Sequence, residues 1–132
     1  MTRYLLDTSV FLWNAGTPER LNRGVRDLLG KSADPIFVSA ATSWEIAIKA
    51  GLGKLKLPEF PREYMLKRLA AGGFLPLPIT NEHAVTAGEL PRHHADSFDR
   101  MLVAQAQTEN LLLVTADRQL LKYSGQTLWA GI

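Results

Sequence analysis

The sequence predicts an α/β protein, a three-layer α/β/α sandwich around a central, mostly parallel sheet, built as one domain over residues 1–132. Three observations predict it. Short apolar runs such as Tyr4-Leu5-Leu6, Ile36-Phe37-Val38 and Leu111-Leu112-Leu113-Val114 read as strands buried on both faces. Between them lie segments whose apolar residues recur at helical spacing. Strands alternating with helices of this size form parallel sheets covered on both sides, joined by right-handed crossovers.

Taken in order, residues 3 to 7 read as the first strand, and the segment to Asn14, apolar on one side, as a helical turn. Leu21, Val25, Leu28 and Leu29 recur at helical spacing behind Pro18, a residue suited to a first turn, and Gly30 is expected to close that helix. Ile36 to Val38 is the second strand. Ala40 to Ala50 follows as a helix expected to turn Trp44, Ala47 and Ile48 toward a core, ended by Gly51 and Gly53. A connector with Pro58 and Pro61 leads to a helix marked by Tyr64, Leu66, Leu69 and Ala70, which stops at Gly72-Gly73.

Phe74 to Leu77 reads as the third strand, and Thr80 to Leu90 as a helix capped by Thr80 or Asn81. Ser97 to Glu109 is the clearest amphipathic helix, with Phe98, Met101, Leu102, Gln105 and Ala106 spaced by three and four. The run to Val114 is then a buried strand, and Gln126 to Trp129 a short edge strand. No repeat, low-complexity tract or flexible linker interrupts the pattern.

Composition narrows the class. Hydrophobic residues make up 46% and charged residues 21%, an ordinary globular balance. No apolar run approaches the roughly eighteen residues of a membrane span, and Asp7 comes too early for a secretory leader, so a cytoplasmic protein is expected. The absence of cysteine excludes disulfides, thiolate zinc sites and cysteine nucleophiles. Any metal must be held by oxygen or imidazole. The net charge is only +2, but Lys49, Lys54, Lys56, Arg62, Lys67 and Arg68 outnumber Glu59 and Glu63 within one stretch. Such a patch attracts polyanions, although basic side chains on a helix are most often a solvated face.

The chemistry resides in four carboxylates. Asp7 and Asp117 follow the first and fourth strands, Glu45 lies shortly after the second, and Asp99 opens the helix that precedes the fourth. Each has a structural alternative. Aspartate between strand and helix is a good N-cap, Thr42-Ser43-Trp44-Glu45 matches a capping box, and Asp96 or Asp99 can cap the helix they share. Capping does not explain why strand order should gather several acids at one sheet edge, where ligands bind in open α/β sheets. Two ionised carboxylates roughly 5 Å apart repel by about 3 kcal/mol at an effective dielectric near ~20, so a cluster calls for a cation. Carboxylate oxygens without thiolates suit Mg2+ or Mn2+. His93 and His94, consecutive in a loop with Pro91, could be ligands or a general base, but consecutive imidazoles in such a loop are expected to be solvated. Ser9 and Ser39 lack a histidine partner in any nucleophile motif, and no glycine-rich phosphate loop is present.

Together, Leu6-Asp7-Thr8-Ser9-Val10-Phe11-Leu12-Trp13, Ser43-Trp44-Glu45-Ile46-Ala47-Ile48-Lys49, the segment His93 to Ala106, and Leu113-Val114-Thr115-Ala116-Asp117 resemble a PIN-domain ribonuclease of the VapC toxin type. The resemblance runs in order across nearly the whole chain. It implies a PIN-like α/β/α nuclease domain in which Asp7, Glu45, Asp99 and Asp117 surround one or two divalent ions and cleave RNA. It further implies Thr8 and Thr115 as hydroxyl supports of the site and Asp96 as an auxiliary acid. A VapB-like antitoxin partner and a homodimer, through helix faces such as that bearing Trp13, are implied too. Ser97 departs from the pattern, which usually has proline there. Two rivals are a PIN-like domain that binds without cutting and a Mg2+-dependent phospho-receiver, although Thr8-Ser9 and Ser39 do not supply a receiver's acids.

Overall fold

The apolar runs pair as five strands in the computed structural model, which describes residues 1–132. These are β1 (Tyr4–Leu6), β2 (Ile36–Ser39), β3 (Leu75–Leu77), β4 (Leu112–Thr115) and β5 (Thr127–Trp129). They lie in the order β3-β2-β1-β4-β5, and every pair is parallel. Leu6 sits opposite Val114, so β1 and β4 finish side by side. From β1 the chain builds outward through β2 and β3, then returns to the other side of β1 as β4. The β1/β4 boundary is therefore the point where strand order reverses and a ligand crevice forms. A receiver sheet has the order 2-1-3-4-5, so this topology removes that rival.

Six helices cover the sheet: α1 (Thr8–Gly16), α2 (Arg23–Lys31), α3 (Ala40–Gly51), α4 (Pro61–Gly72), α5 (Asn81–Glu89) and α6 (Ser97–Glu109). Alternation along the strands divides the core in two. Leu6, Val38 and Val114 pack with Phe11, Val25, Ile46 and Tyr64 on one face. Leu5 and Leu113 pack with Ala87, Leu102, Val103 and Ala106 on the other. This is the expected three-layer arrangement, with the sheet wholly parallel. No helix is long and apolar enough to cross a membrane.

Several element boundaries differ from expectation for identifiable reasons. The segment after Asp7 is a full helix to Gly16 rather than a turn. Pro18 opens a short 3-10 turn, Pro18–Arg20, and Leu21 then bridges antiparallel to Gly131, so helix resumes only at Arg23. Asn22 caps it by accepting the Val25 N–H at 2.9 Å, and the helix runs past Gly30 to Lys31. At the end of α4, Gly73 takes φ +65°, a left-handed cap that glycine adopts without a Cβ clash.

The orientation of α3 is the largest correction. Trp44, Ala47 and Ile48 were expected inward, yet Trp44 is 61% exposed and the buried side carries Ala41, Thr42, Glu45 and Ile46. Ser39 caps this helix, with its Oγ accepting the Ala41 N–H at 2.9 Å, so Thr42 and Glu45 form no capping box. Glu45 is thus buried with no capping role to account for it.

Candidate active site

Asp7 stands at the handover from β1 to α1 and does two jobs. Its Oδ1 accepts the Val10 N–H at 2.8 Å, capping the helix, while Oδ2 accepts the Thr115 hydroxyl from β4 at 2.6 Å. The carboxyl is only 3% exposed, and burial pushes its pKa from 3.8 to about 6 against the lowering effect of these hydrogen bonds. The nearby charge of Asp117 pushes the same way.

Asp117 caps the 3-10 turn Arg118–Lys122, its Oδ1 accepting the Gln119 N–H at 2.9 Å. Its other oxygen, Oδ2, lies 3.2 Å from His94 Nε2. Asp99, in the first turn of α6, places Oδ2 2.9 Å from the same nitrogen. His94, Asp99 and Asp117 each offer a ligand atom, all within 4.8 Å of one another. Burial raises Asp99 to about 7, helped by the charges of Asp96, Asp7 and Glu45 and opposed by His94. The closest set is therefore His94, Asp99 and Asp117, with Asp7 and Glu45 near enough for their charges to act on Asp99.

Glu45 completes the group from α3. Its Oε2 accepts a 2.6 Å ion pair from Lys49, whose own pKa is raised chiefly by that bond, but Oε1 is buried and has no hydrogen-bond partner. An orphaned buried carboxylate oxygen costs on the order of 1–3 kcal/mol or more unless something is to meet it. Asp96 is the N-cap of α6, with Oδ1 accepting the Asp99 N–H at 3.0 Å. The two hydroxyls differ. Thr115 bonds Asp7 directly and also accepts the Asp117 N–H at 3.0 Å, whereas Thr8 bonds Thr42 at 3.0 Å and so ties α1 to α3 without touching an acid.

Two further residues stand at the site, His94, a candidate ligand expected to be solvated, and Arg100, which no sequence signal marked. His94, expected in solvent, is 22% exposed in its side chain and sits between two acids, while His93 remains exposed and packs edge-on against Tyr123. Arg100 explains the difference. Its guanidinium donates to the carbonyls of Ala87, Leu90 and Pro91 at 2.9 to 3.0 Å, and the His94 N–H donates to Tyr123 Oη at 3.0 Å. Those bonds fix the loop ahead of α6. The only trace in the sequence is an arginine directly after an acid in a helix, which a solvated face would show equally.

A wholly parallel sheet with carboxylates over its topological switch defines an α/β protein with an acidic site. The PIN domain family matches residues 4–126, and the chain belongs to that family. It is 33% identical over 121 residues to ribonuclease VapC22 of Mycobacterium tuberculosis, covering 91% of each. Its fold is similar to a chain of the Rickettsia felis VapBC2 complex bound to promoter DNA, with TM-score 0.73 and 18% identity over 98% of this chain and 99% of that one. A chain of DNA-bound VapBC from Salmonella typhimurium gives TM-score 0.68 at 19% identity, covering 98% of each. At these identities the two structures speak for fold.

Proposed function

We propose that this chain is a metal-dependent endoribonuclease, a single PIN-like domain over residues 1–132 that hydrolyses RNA phosphodiester bonds as the toxin of a toxin-antitoxin pair. The observation that carries the reading is the convergence of Asp7, Asp99 and Asp117 on the β1/β4 crevice, with two of them raised to about 6 and about 7. Likeness to a protein named ribonuclease over 91% of both chains supports it.

The residues fit a divalent cation. The donors are carboxylate oxygens, the chain has no thiolate, and the orphaned Glu45 Oε1 and the acids raised by burial and by one another's charge support a site that a cation would complete. Asp7, Asp99 and Asp117 would hold Mg2+ or Mn2+, with Glu45 serving a second ion or orienting the attacking water. When bound, such an ion supplies positive charge to the scissile phosphate and lowers the pKa of water. The chain itself supplies position. Thr115 and the Val10 N–H lock both oxygens of Asp7, and Asp96 holds the first turn of α6 that carries Asp99. Glu45 Oε1, free of hydrogen bonds, can take a proton from the attacking water. Lys49 Nζ, at 2.6 Å from Oε2, holds the other oxygen of that carboxylate in place.

A fluorescent single-stranded RNA incubated with Mg2+ or Mn2+ should be cut, and EDTA should stop the reaction. Failure to cut any RNA with either ion present would favour the PIN-like domain that binds without cutting. The partner reading rests on the VapBC complexes among the structural neighbours. Exposed Trp44 and Leu66 line one open cleft between α3 and α4, next in sequence to Glu45, and that is the apolar face a VapB-like antitoxin would cover. A homodimer and a cytoplasmic location complete the proposal. Gel filtration that gives a monomer at all concentrations would remove the homodimer.

A further inference from the structure

His94 is the one nitrogen donor in the acidic crevice, and it is held there by bonds unrelated to the acids. Arg100 and Tyr123 fix the backbone of its loop, so the imidazole is presented to Asp99 and Asp117 rather than drawn in by them alone. Nε2 lies 2.9 Å from Asp99 Oδ2 and 3.2 Å from Asp117 Oδ2. Neighbouring ligands on a small octahedral cation with bonds of about 2.1 Å stand about 3.0 Å apart, which is the spacing found here. The far nitrogen, Nδ1, meets only the Asp96 N–H at 3.5 Å, the outer limit of a hydrogen bond, so the ring is not bound to the tautomer that protonates Nε2. A separate observation points the same way, since Glu45, close enough for its charge to act on Asp99, leaves Oε1 buried without a partner.

We infer that His94 Nε2 is a metal ligand alongside Asp99 and Asp117, making this a mixed nitrogen and oxygen site that selects a first-row transition cation such as Mn2+ over Mg2+. The inference rests on the nuclease reading only in assuming that the crevice holds a divalent ion. Mg2+ sheds water reluctantly and prefers oxygen, whereas imidazole suits the transition metals, and affinity for nitrogen donors rises along that series. One imidazole among carboxylates therefore tilts the choice of ion without excluding Mg2+.

The test reads the ligand directly. The full chain is loaded with Mn2+, and pulsed electron paramagnetic resonance looks for coupling of the Mn2+ spin to a directly bound 14N nucleus. Wild-type protein should show the coupling and His94→Ala should lose it. In calorimetric titrations, His94→Ala should weaken Mn2+ binding by roughly tenfold or more, the scale expected when a ligand or its support is lost, while Mg2+ binding changes little. His94→Gln should behave as His94→Ala in the resonance experiment, and thermal melts confirm that both variants are folded. Saturable Mn2+ binding with no 14N coupling, or coupling that persists in both variants, overturns the inference. No saturable Mn2+ binding also overturns it. RNA cleavage with Mg2+ then decides separately whether the nuclease reading survives.

Discussion

Thr115 Oγ1 donates a 2.6 Å hydrogen bond to Asp7 Oδ2, joining β4 to the end of β1 across 108 positions of sequence. The same oxygen accepts the Asp117 N–H at 3.0 Å, so one hydroxyl orients two of the acids. Thr115→Val, close in volume, should lower cleavage or metal affinity by about tenfold. It should cost about 1–2 kcal/mol of stability, more at pH 8 than at pH 5, because the lost bond favours ionised Asp7. Melts at both pH values with a metal titration check this. Equal activity in the variant would show that Thr115 only closes the sheet.

Asp99→Asn should remove cleavage, by on the order of a hundredfold or more, while the metal-free protein melts higher than wild type. Asparagine keeps an oxygen that can accept from His94, and it removes a buried charge and its repulsion with Asp96, Asp7 and Glu45, the burial and the charges that together hold Asp99 near 7. Asp7→Asn should behave similarly. Wild-type cutting rates in both variants would end the assignment of these acids.

The metal-free protein should lose stability as the pH rises. Asp7 and Asp99 titrate near 3.8 when unfolded but at about 6 and about 7 when folded. The folded chain therefore binds more protons between those limits, and the stability they contribute is full below about pH 4 and lost as the pH passes 6 and 7. For Asp7, almost wholly buried, the difference is on the order of 3 kcal/mol. Thermal melts in EDTA from pH 4.5 to 8 should show the decline. Saturating divalent ion should restore most of it at the alkaline end, since ion and proton compete for the same oxygens. A flat profile in EDTA would mean the acids are not short of countercharge.

Arg100→Ala should destabilise the protein by about 2 kcal/mol, because the carbonyls of Ala87, Leu90 and Pro91 lose a charged donor. The loop that carries His94 should loosen with it. Faster amide exchange at Ala95 and Asp96, with α2 unchanged, is the expected readout.

Trp44→Ala should leave stability within about 1 kcal/mol, since the indole is 61% exposed and its neighbour is the ring of Phe98 at 5.2 Å. Its effect should fall instead on capture of an antitoxin partner. Unchanged affinity for that partner would move the interface elsewhere.

Much of this protein could be read from local pattern. The strand runs, the bounds of α6 at Ser97 and Glu109, and Asp7, Asp99 and Asp117 at element ends follow from periodicity and cap chemistry, which depend on near neighbours. The proposal of a bound cation follows too, because like charges brought together call for one wherever they meet.

What only the tertiary structure decided is which face each residue shows and what it meets. Trp44 and Glu45 are adjacent on α3, and helical spacing alone permitted either to face the core; packing against α1 and the sheet buried Glu45 and exposed Trp44. Leu21 left its helix for a bridge to Gly131, a partner 110 positions away whose pull no local pattern encodes. His94 and Arg100 joined the site for the same reason. A loop's direction is set by carbonyls from α5 and a hydroxyl beyond β4, and those contacts exist only once the distant segments have packed.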